Sequence, residues 1–303
     1  MTKPLNIAIL GAGALGSVLG AELYKRGAAV QLLDTNDAHI AAIQKDGLRV
    51  DWDDHSEHLP IPAHRPEAAT PADLIILLTK TLHSTAAMAS VQPLIAAGAC
   101  VLTLQNGLGN VERVAQSVPR DHVLFGCTMT PGDLRGPGHV ASHGIAYTPF
   151  TTLEPTGPAA EVARRLAEYL PWLTDDAPAQ VWQKAAFNCA VNATALLGRA
   201  TVGLLGQELG KDMAMRIAAE VLALATREGI STDAEAVGRQ FDLAFREHVN
   251  HKPSMLQDAE RGVRTEIEAL NGYVVRRAAE LGTEAPLNDL LARLVRMTER
   301  GGA

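Results

Sequence analysis

A chain of 303 residues with 47% apolar and 20% charged side chains is long enough for two domains with separate cores and far from the composition of a disordered chain. Its formal charge of −7 excludes a nucleic-acid surface, which needs a basic excess to meet phosphate. Cys100, Cys127 and Cys189 are odd in number and widely spaced, which argues against a disulfide framework or a zinc site and places the chain in a reducing cytoplasm.

Met1-Thr2-Lys3-Pro4 runs directly into a strand pattern and leaves no room for an export signal. The apolar run Leu74-Ile75-Ile76-Leu77-Leu78 is far short of the ~20 residues that cross a bilayer, so no membrane span and no membrane partner is expected. Short β-type runs at 5–10, 30–33, 74–78, 100–104 and 123–127 alternate with helical stretches. That alternation predicts a parallel sheet, and the almost wholly apolar runs predict strands covered by helices on both faces.

The polar segment 48–70 predicts one or two short extra strands and a solvated loop. Residues 138–142 and 144–148 read as two short antiparallel strands at a sheet edge, and a helix follows over about 159–169. Pro171, Asp175, Asp176 and Pro178 mark the domain boundary: residues 1–176 form a dinucleotide-binding domain of Rossmann type, and residues 177–303 a helical substrate and catalytic domain. Past Gln180 the β signal disappears, so the second domain is expected to be all α.

Gly11-Ala12-Gly13-Ala14-Leu15-Gly16 follows the first strand and opens an Ala-rich helix. In that context Gly11 allows a tight turn, Gly13 lets backbone approach a pyrophosphate, and Gly16 lets helix and strand pack closely. The helix N-terminus then meets the phosphate charge with its N–H groups. Asp34, about 20 residues on, can accept ribose hydroxyls and would repel a 2′-phosphate, so NAD(H) is favoured over NADP(H). Thr35, Asn36 and Asp37 beside it supply no positive charge. Asp34 or Asn36 could also serve as N-cap of the helix running to Lys45.

Lys184, Asn188 and Asn192 recur at steps of four and lie along one helix face, drifting about 40° per step. Trp182, Ala185, Ala186, Phe187, Cys189, Ala190, Val191 and Ala193 surround this narrow stripe. An ordinary solvent face would be wider and built from Glu, Lys, Gln or Arg, and Asn is a poor helix former. A carbonyl substrate needs a proton donor and amides for its polar ends, and the stripe supplies both.

With these motifs, the chain resembles the ketopantoate reductase family over essentially its whole length. The resemblance rests on the glycine-rich turn, Lys80 after the 74–78 strand, Gln105-Asn106-Gly107, and Trp182-Gln183-Lys184 with Asn188 and Asn192. His251-Lys252-Pro253-Ser254-Met255-Leu256-Gln257-Asp258, Arg264-Thr265-Glu266-Ile267 and Asn271-Gly272 complete it. It implies a Rossmann domain joined to a helical domain, and reduction of a 2-oxo acid, with ketopantoate as the type substrate. By resemblance Lys184 is the general acid, Asn188, Asn192 and Ser254 bind substrate, Asn106 touches nicotinamide and substrate, and Lys80 and Glu266 hold the cofactor.

Each carried residue also has a plainer role open to it: Lys80 a strand-end cation, Asn106-Gly107 a turn pair, Ser254 a helix N-cap, Glu266 an exposed carboxylate. Two features depart from the family pattern. Asp34 stands without a nearby Arg or Lys where NADPH-using members carry a basic residue, and Val202-Gly203-Leu204-Leu205 stands where many carry Asn-Gly-Glu-Leu. Some relatives, of the D-mandelate dehydrogenase type, use NAD on bulkier 2-oxo acids, and that activity is the alternative within the family. A non-catalytic dinucleotide sensor is the alternative of another class, and a homodimer remains open. His55, His58 and His64 beside Asp53, Asp54 and Glu57 lack a rigid ligand spacing, so no metal is expected.

Overall fold

The computed structural model describes residues 3–301. Met1 and Thr2, which begin the segment without room for an export signal, and residues 302–303, which end the expected helical domain, lie outside the described residues. Two compact units emerge, Met1–Gln105 with Asn110–Ala177, and Asn106–Gly109 with Pro178–Ala303.

The first unit opens with β1 (Asn6–Leu10), α1 (Ala14–Lys25), β2 (Ala29–Leu33) and α2 (Asp37–Asp46). The polar segment holds three strands rather than one or two: β3 (Leu48–Asp51), β4 (Ser56–Leu59) and the two-residue β5 (Ala63–His64). β6 (Leu74–Leu77), α3 (Ser84–Ser90), α4 (Gln92–Ala96), β7 (Cys100–Thr103), α5 (Asn110–Val114) and β8 (Val123–Gly126) continue the alternation. β9 (Asp133–Gly136), β10 (His139–Ala141), β11 (Phe150–Thr152) and α6 (Pro158–Leu166) complete the unit.

The main sheet has the order β11-β8-β7-β6-β1-β2-β5 and is parallel except for β11. Alternate residues of β1 feed opposite faces. Ile7 and Ile9 join Leu19, Leu23 and Leu166 in one cluster, while Ala8 and Leu10 join Met88, Leu94 and Val114 in the other. Each large aliphatic side chain buried this way is worth about 1.5–3 kcal/mol, which is why the runs carry so few polar residues. Strand order reverses between β1 and β6, the switch point at whose carboxyl ends an open α/β sheet leaves a crevice.

Of the two strands expected at 138–148, the first forms as β10 but belongs to a separate four-stranded sheet, β4-β3-β10-β9. The second does not form. Side-chain hydroxyls occupy that segment instead: Ser142 Oγ donates to Pro131 O at 2.6 Å, Ala146 N to Thr130 Oγ1 at 3.0 Å, and Thr148 Oγ1 to Ala146 O at 2.9 Å. Such local bonds compete with a backbone ladder, and β11 takes the sheet edge with Phe150 fully buried.

The second unit is helical and holds no strand among the described residues: α7 (Ala177–Gly198), α8 (Val202–Glu208), α9 (Gly210–Arg227), α10 (Ala234–Glu247), α11 (Ser254–Glu260), α12 (Asn271–Glu280) and α13 (Pro286–Gly301). Ala185, Ala186, Ala190 and Ala193 make α7 a thin central helix within the core. Phe187 stacks on Phe241 at 5.0 Å, and Trp182 meets Tyr273 edge-on at 6.4 Å. A buried amide pair ties four helices together. Asn271 Nδ2 donates to Cys189 O and Asn288 Oδ1, and Asn288 Nδ2 donates to Ile217 O and Glu220 Oε2. No single helix among the described residues is long and apolar enough to cross a membrane.

Candidate active site

The glycine-rich turn is built from backbone. Gly11 N and Ala12 N both donate to Leu33 O, at 2.8 and 3.1 Å, which folds the turn over the end of β2. Gly11 has φ +100°, and a Cβ there would lie 2.6 Å from Thr79 N in the chain leaving β6. A Cβ at Gly16 would lie 2.0 Å from Gly11 O, so only glycine lets α1 sit this close to the turn. Gly13 differs: a Cβ would meet nothing within 4 Å. It is the N-cap of α1, no side chain caps it, and the first turn, with Ala14 and Leu15, has no acid. Open space over uncapped N–H groups suits a pyrophosphate, so the turn fits a dinucleotide.

Asp34 follows β2 and is half-buried. Its Oδ1 accepts Asn36 N at 2.9 Å, while Asn36 Oδ1 accepts His39 N at 3.2 Å, so the cap of α2 is Asn36 and not Asp34. The expectation that no cation lies near needs correction. Arg65, from the chain after β5, forks onto Asp37 at 2.7 and 2.6 Å. That contact crosses from β5 to α2 and cannot be seen among chain neighbours. Hydrogen bonds from Arg65 hold the Asp37 carboxyl below its ordinary value. The guanidinium is thereby engaged bidentately by a carboxylate, the strongest geometry for such a pair.

Lys80 is half-buried just past β6, at the switch point beside the glycine-rich turn. Gln105 steadies its approach: Nε2 donates to Thr79 O at 2.7 Å and Ser84 Oγ at 2.8 Å, and Oε1 accepts Thr103 Oγ1. Sequence reasoning noticed Gln105 only as part of a motif; its burial at 7% shows a structural task.

The helical unit is built from side chains. Lys184 and Asn188 are half-buried on α7, and Asn192, 4% exposed, completes the stripe. Lys184 Nζ donates to Asn106 Oδ1 at 2.7 Å. Asn106 reaches it because segment 106–109 folds with the helical unit: Leu108 N donates to Ala269 O at 2.7 Å, and a Cβ on Gly107 (φ +88°) would lie 2.4 Å from the same oxygen. Asn106-Gly107 is therefore a turn pair and a lysine partner at once. Glu266, half-buried, precedes the 3₁₀ turn Ile267–Ala269 that seats this segment.

Asn192 Oδ1 accepts both Ser254 Oγ, at 3.0 Å, and Met255 N, at 3.2 Å. Ser254 is thus not a helix N-cap; Asn192 caps α11 from α7, and Ser254 holds it in place. With its carbonyl committed, Asn192 turns its amide nitrogen to the other side of the group. Cys189, on the same helix, is fully buried, and burial pushes its thiol up, as for an inert core residue.

The histidines do not converge. His55 pairs with Asp54, His58 bonds Asp46 O, His139 pairs with Asp51 and His143 with Asp53. No group of three or more His, Cys, Asp or Glu able to hold a metal occurs among the described residues.

These features define a class: an α/β dinucleotide-binding fold followed by a helical unit with a lysine-centred polar stripe. The family model for ketopantoate reductase PanE/ApbA matches residues 7–154, and the model for its C-terminal part matches 176–299. A 2-dehydropantoate 2-reductase of Halobacterium salinarum is 34% identical over 305 residues, 98% of this chain and 100% of that protein. One of Streptococcus pyogenes serotype M1 is 32% identical over 298 residues, 96% of this chain and 97% of that protein. The solved structure of D-mandelate dehydrogenase with NADH and anilino(oxo)acetate superposes with a TM-score of 0.90 at 29% identity, covering 98% of this chain and 99% of that one. The chain belongs to the ketopantoate reductase family, and it is an oxidoreductase working with a nicotinamide cofactor.

Proposed function

We propose that the protein reduces a 2-oxo acid to the 2-hydroxy acid, in the first instance 2-dehydropantoate to pantoate for pantothenate synthesis, with Lys184 as proton donor. The observation that carries this reading is the 2.7 Å bond from Lys184 Nζ to Asn106 Oδ1 on a narrow polar stripe of a core helix. In this assignment residues 1–176 bind the dinucleotide and residues 177–303 carry substrate and catalytic groups.

Gly11, Ala12, Gly13, Ala14, Leu15 and Gly16 present the pyrophosphate site, Asp34 takes the adenosine ribose, and Lys80, Asn106 and Glu266 complete the cofactor contacts. When bound there, a reduced nicotinamide would supply hydride to the carbonyl carbon. Lys184 stabilises the charge growing on the carbonyl oxygen and delivers the proton that makes it a hydroxyl, leaving a neutral amine that solvent reprotonates. The Asn106 carbonyl fixes the ammonium at one point of the helix face. Asn188, Asn192 and Ser254 orient the carboxylate end of the substrate, and Asn192 can donate because Ser254 and Met255 already occupy its oxygen.

NAD(H) is the favoured cofactor. Asp34 repels a 2′-phosphate, and the guanidinium of Arg65, which follows the neighbouring strand, is paired with Asp37. A second reading, a D-2-hydroxyacid dehydrogenase for bulkier 2-oxo acids, is favoured by the apolar Val202 and Leu204 and by the 0.90 superposition on D-mandelate dehydrogenase. Initial rates with ketopantoate, phenylglyoxylate and branched 2-oxo acids, each with NADH and NADPH, test both. Turnover with NADH at least about tenfold above NADPH is expected from one charge repelled near the surface. An NADPH preference would remove Asp34 from its role, and NADH binding without turnover of any 2-oxo acid would make the protein a sensor.

A further inference from the structure

Beneath the glycine-rich turn lies a buried polar chain that the reaction itself does not use. Ser17, fully buried on α1, donates from Oγ to Ala12 O at 2.8 Å. His39, 2% exposed on α2, places Nε2 3.4 Å from Ser17 Oγ. Gly138 N, in the turn between β9 and β10, donates to His39 Nδ1 at 3.0 Å. Proton counting fixes every direction. The Ser17 hydroxyl has one hydrogen, which goes to Ala12 O, so its lone pair accepts from His39 Nε2–H. Nδ1 accepts an N–H and carries no proton of its own. His39 is therefore neutral, in the Nε2–H form.

The far end of this chain is the Ala12–Gly13 peptide. No peptide bond among the described residues is cis, and in a trans peptide the carbonyl and the following N–H point in opposite directions. Drawing Ala12 O inward thus turns the N–H of the exposed Gly13 the opposite way, out of the core. From the geometry we infer that His39 is a positioning residue for the cofactor: through Ser17 it sets the direction of the donor that meets the pyrophosphate, and Gly138 sets His39. The inference rests on the glycine-rich turn being the dinucleotide cradle.

Around the ring, α1 and the β9–β10 turn present the uncharged Ser17, Ala12 and Gly138, and β2 ends in the charged Asp34. Burial holds the imidazole below its ordinary 6.5, against the pull of Asp34 and of the Ala12 carbonyl. Protonation would set an N–H against Gly138 N–H and break the chain. The bracing is complete above 6.5 and is lost as pH falls through the depressed value.

NADH binding to the full-length protein, read by fluorescence titration, tests this with two near-isosteric variants. His39→Gln keeps a donor for Ser17 and is expected to bind NADH within about twofold of wild type. His39→Asn keeps only the acceptor for Gly138 and is expected to bind about tenfold more weakly, with kcat at saturating NADH within about twofold. Wild-type affinity is expected to fall on the acid side of 6.5, and that fall is expected to be absent in His39→Gln. Equal affinity in wild type and His39→Asn, or an unchanged acid fall in His39→Gln, overturns the inference while the cradle stands. Wild-type protein that binds neither NADH nor NADPH overturns the cradle and the inference with it. If His39→Asn does not fold, Ser17→Ala carries the same expectation of weaker binding, and wild-type affinity there contradicts it.

Discussion

The glycine-rich turn and the Lys184 stripe make a site in opposite ways. The turn works by lacking side chains: Gly11 and Gly16 admit backbone that a Cβ would strike, at 2.6 and 2.0 Å, and Gly13 leaves N–H groups uncovered. The stripe works by side chains held through distant partners, Lys184 by Asn106 and Asn192 by Ser254. A backbone site tolerates no added atom, whereas a side-chain site can lose one group and keep its fold. Substitutions should therefore fail differently in the two regions.

The sharpest break is Gly16→Val. Its Cβ cannot fit against Gly11 O, so α1 must shift off the turn, and NADH affinity is expected to drop by about 100-fold or more in an equilibrium titration. A variant binding NADH as wild type does would show that the turn is not the cradle. Asn106→Ala should lower kcat by about 10–100-fold, because Lys184 loses the acceptor that fixes it, and should weaken NADH binding by a smaller factor, because Asn106 is also assigned to the nicotinamide. A change confined to KM would assign Asn106 to binding alone.

The smallest effect lies outside both regions. Asn288→Leu removes the side-chain bonds from Asn288 to Asn271, Ile217 O and Glu220 in the helical core and should cost about 1–3 kcal/mol in urea unfolding, with kcat unchanged. Stability equal to wild type would mean that water replaces the Asn288 amide.

The same contrast governs what the sequence reveals. Glycines forced by close approach leave a fixed spacing, so the turn, the alternating strands and the reversal to helices after Gln180 are legible before any coordinates. The Lys184 stripe is legible as a period of four. Asn106 is legible as a site residue only by family resemblance, and its bond to Lys184 is not legible at all, because segment 106–109 joins the helical unit through Leu108 and Ala269, far apart in the chain. Arg65 on Asp37 and His39 beneath Ala12 were illegible for a similar reason: each is an ordinary residue whose role comes from tertiary contact. Residues 144–148 misled because their Thr and apolar content favours a strand, while neighbouring hydroxyls took the backbone groups a strand needs.

The kcat of Lys184→Ala, measured at saturating NADH and 2-oxo acid alongside NADH affinity, tests Lys184 as proton donor most directly. A fall in kcat of about 10²–10⁴-fold with NADH affinity within about threefold of wild type is the expected result, the range usual for loss of a positioned proton donor. A kcat within a few-fold of wild type would contradict the assignment of Lys184.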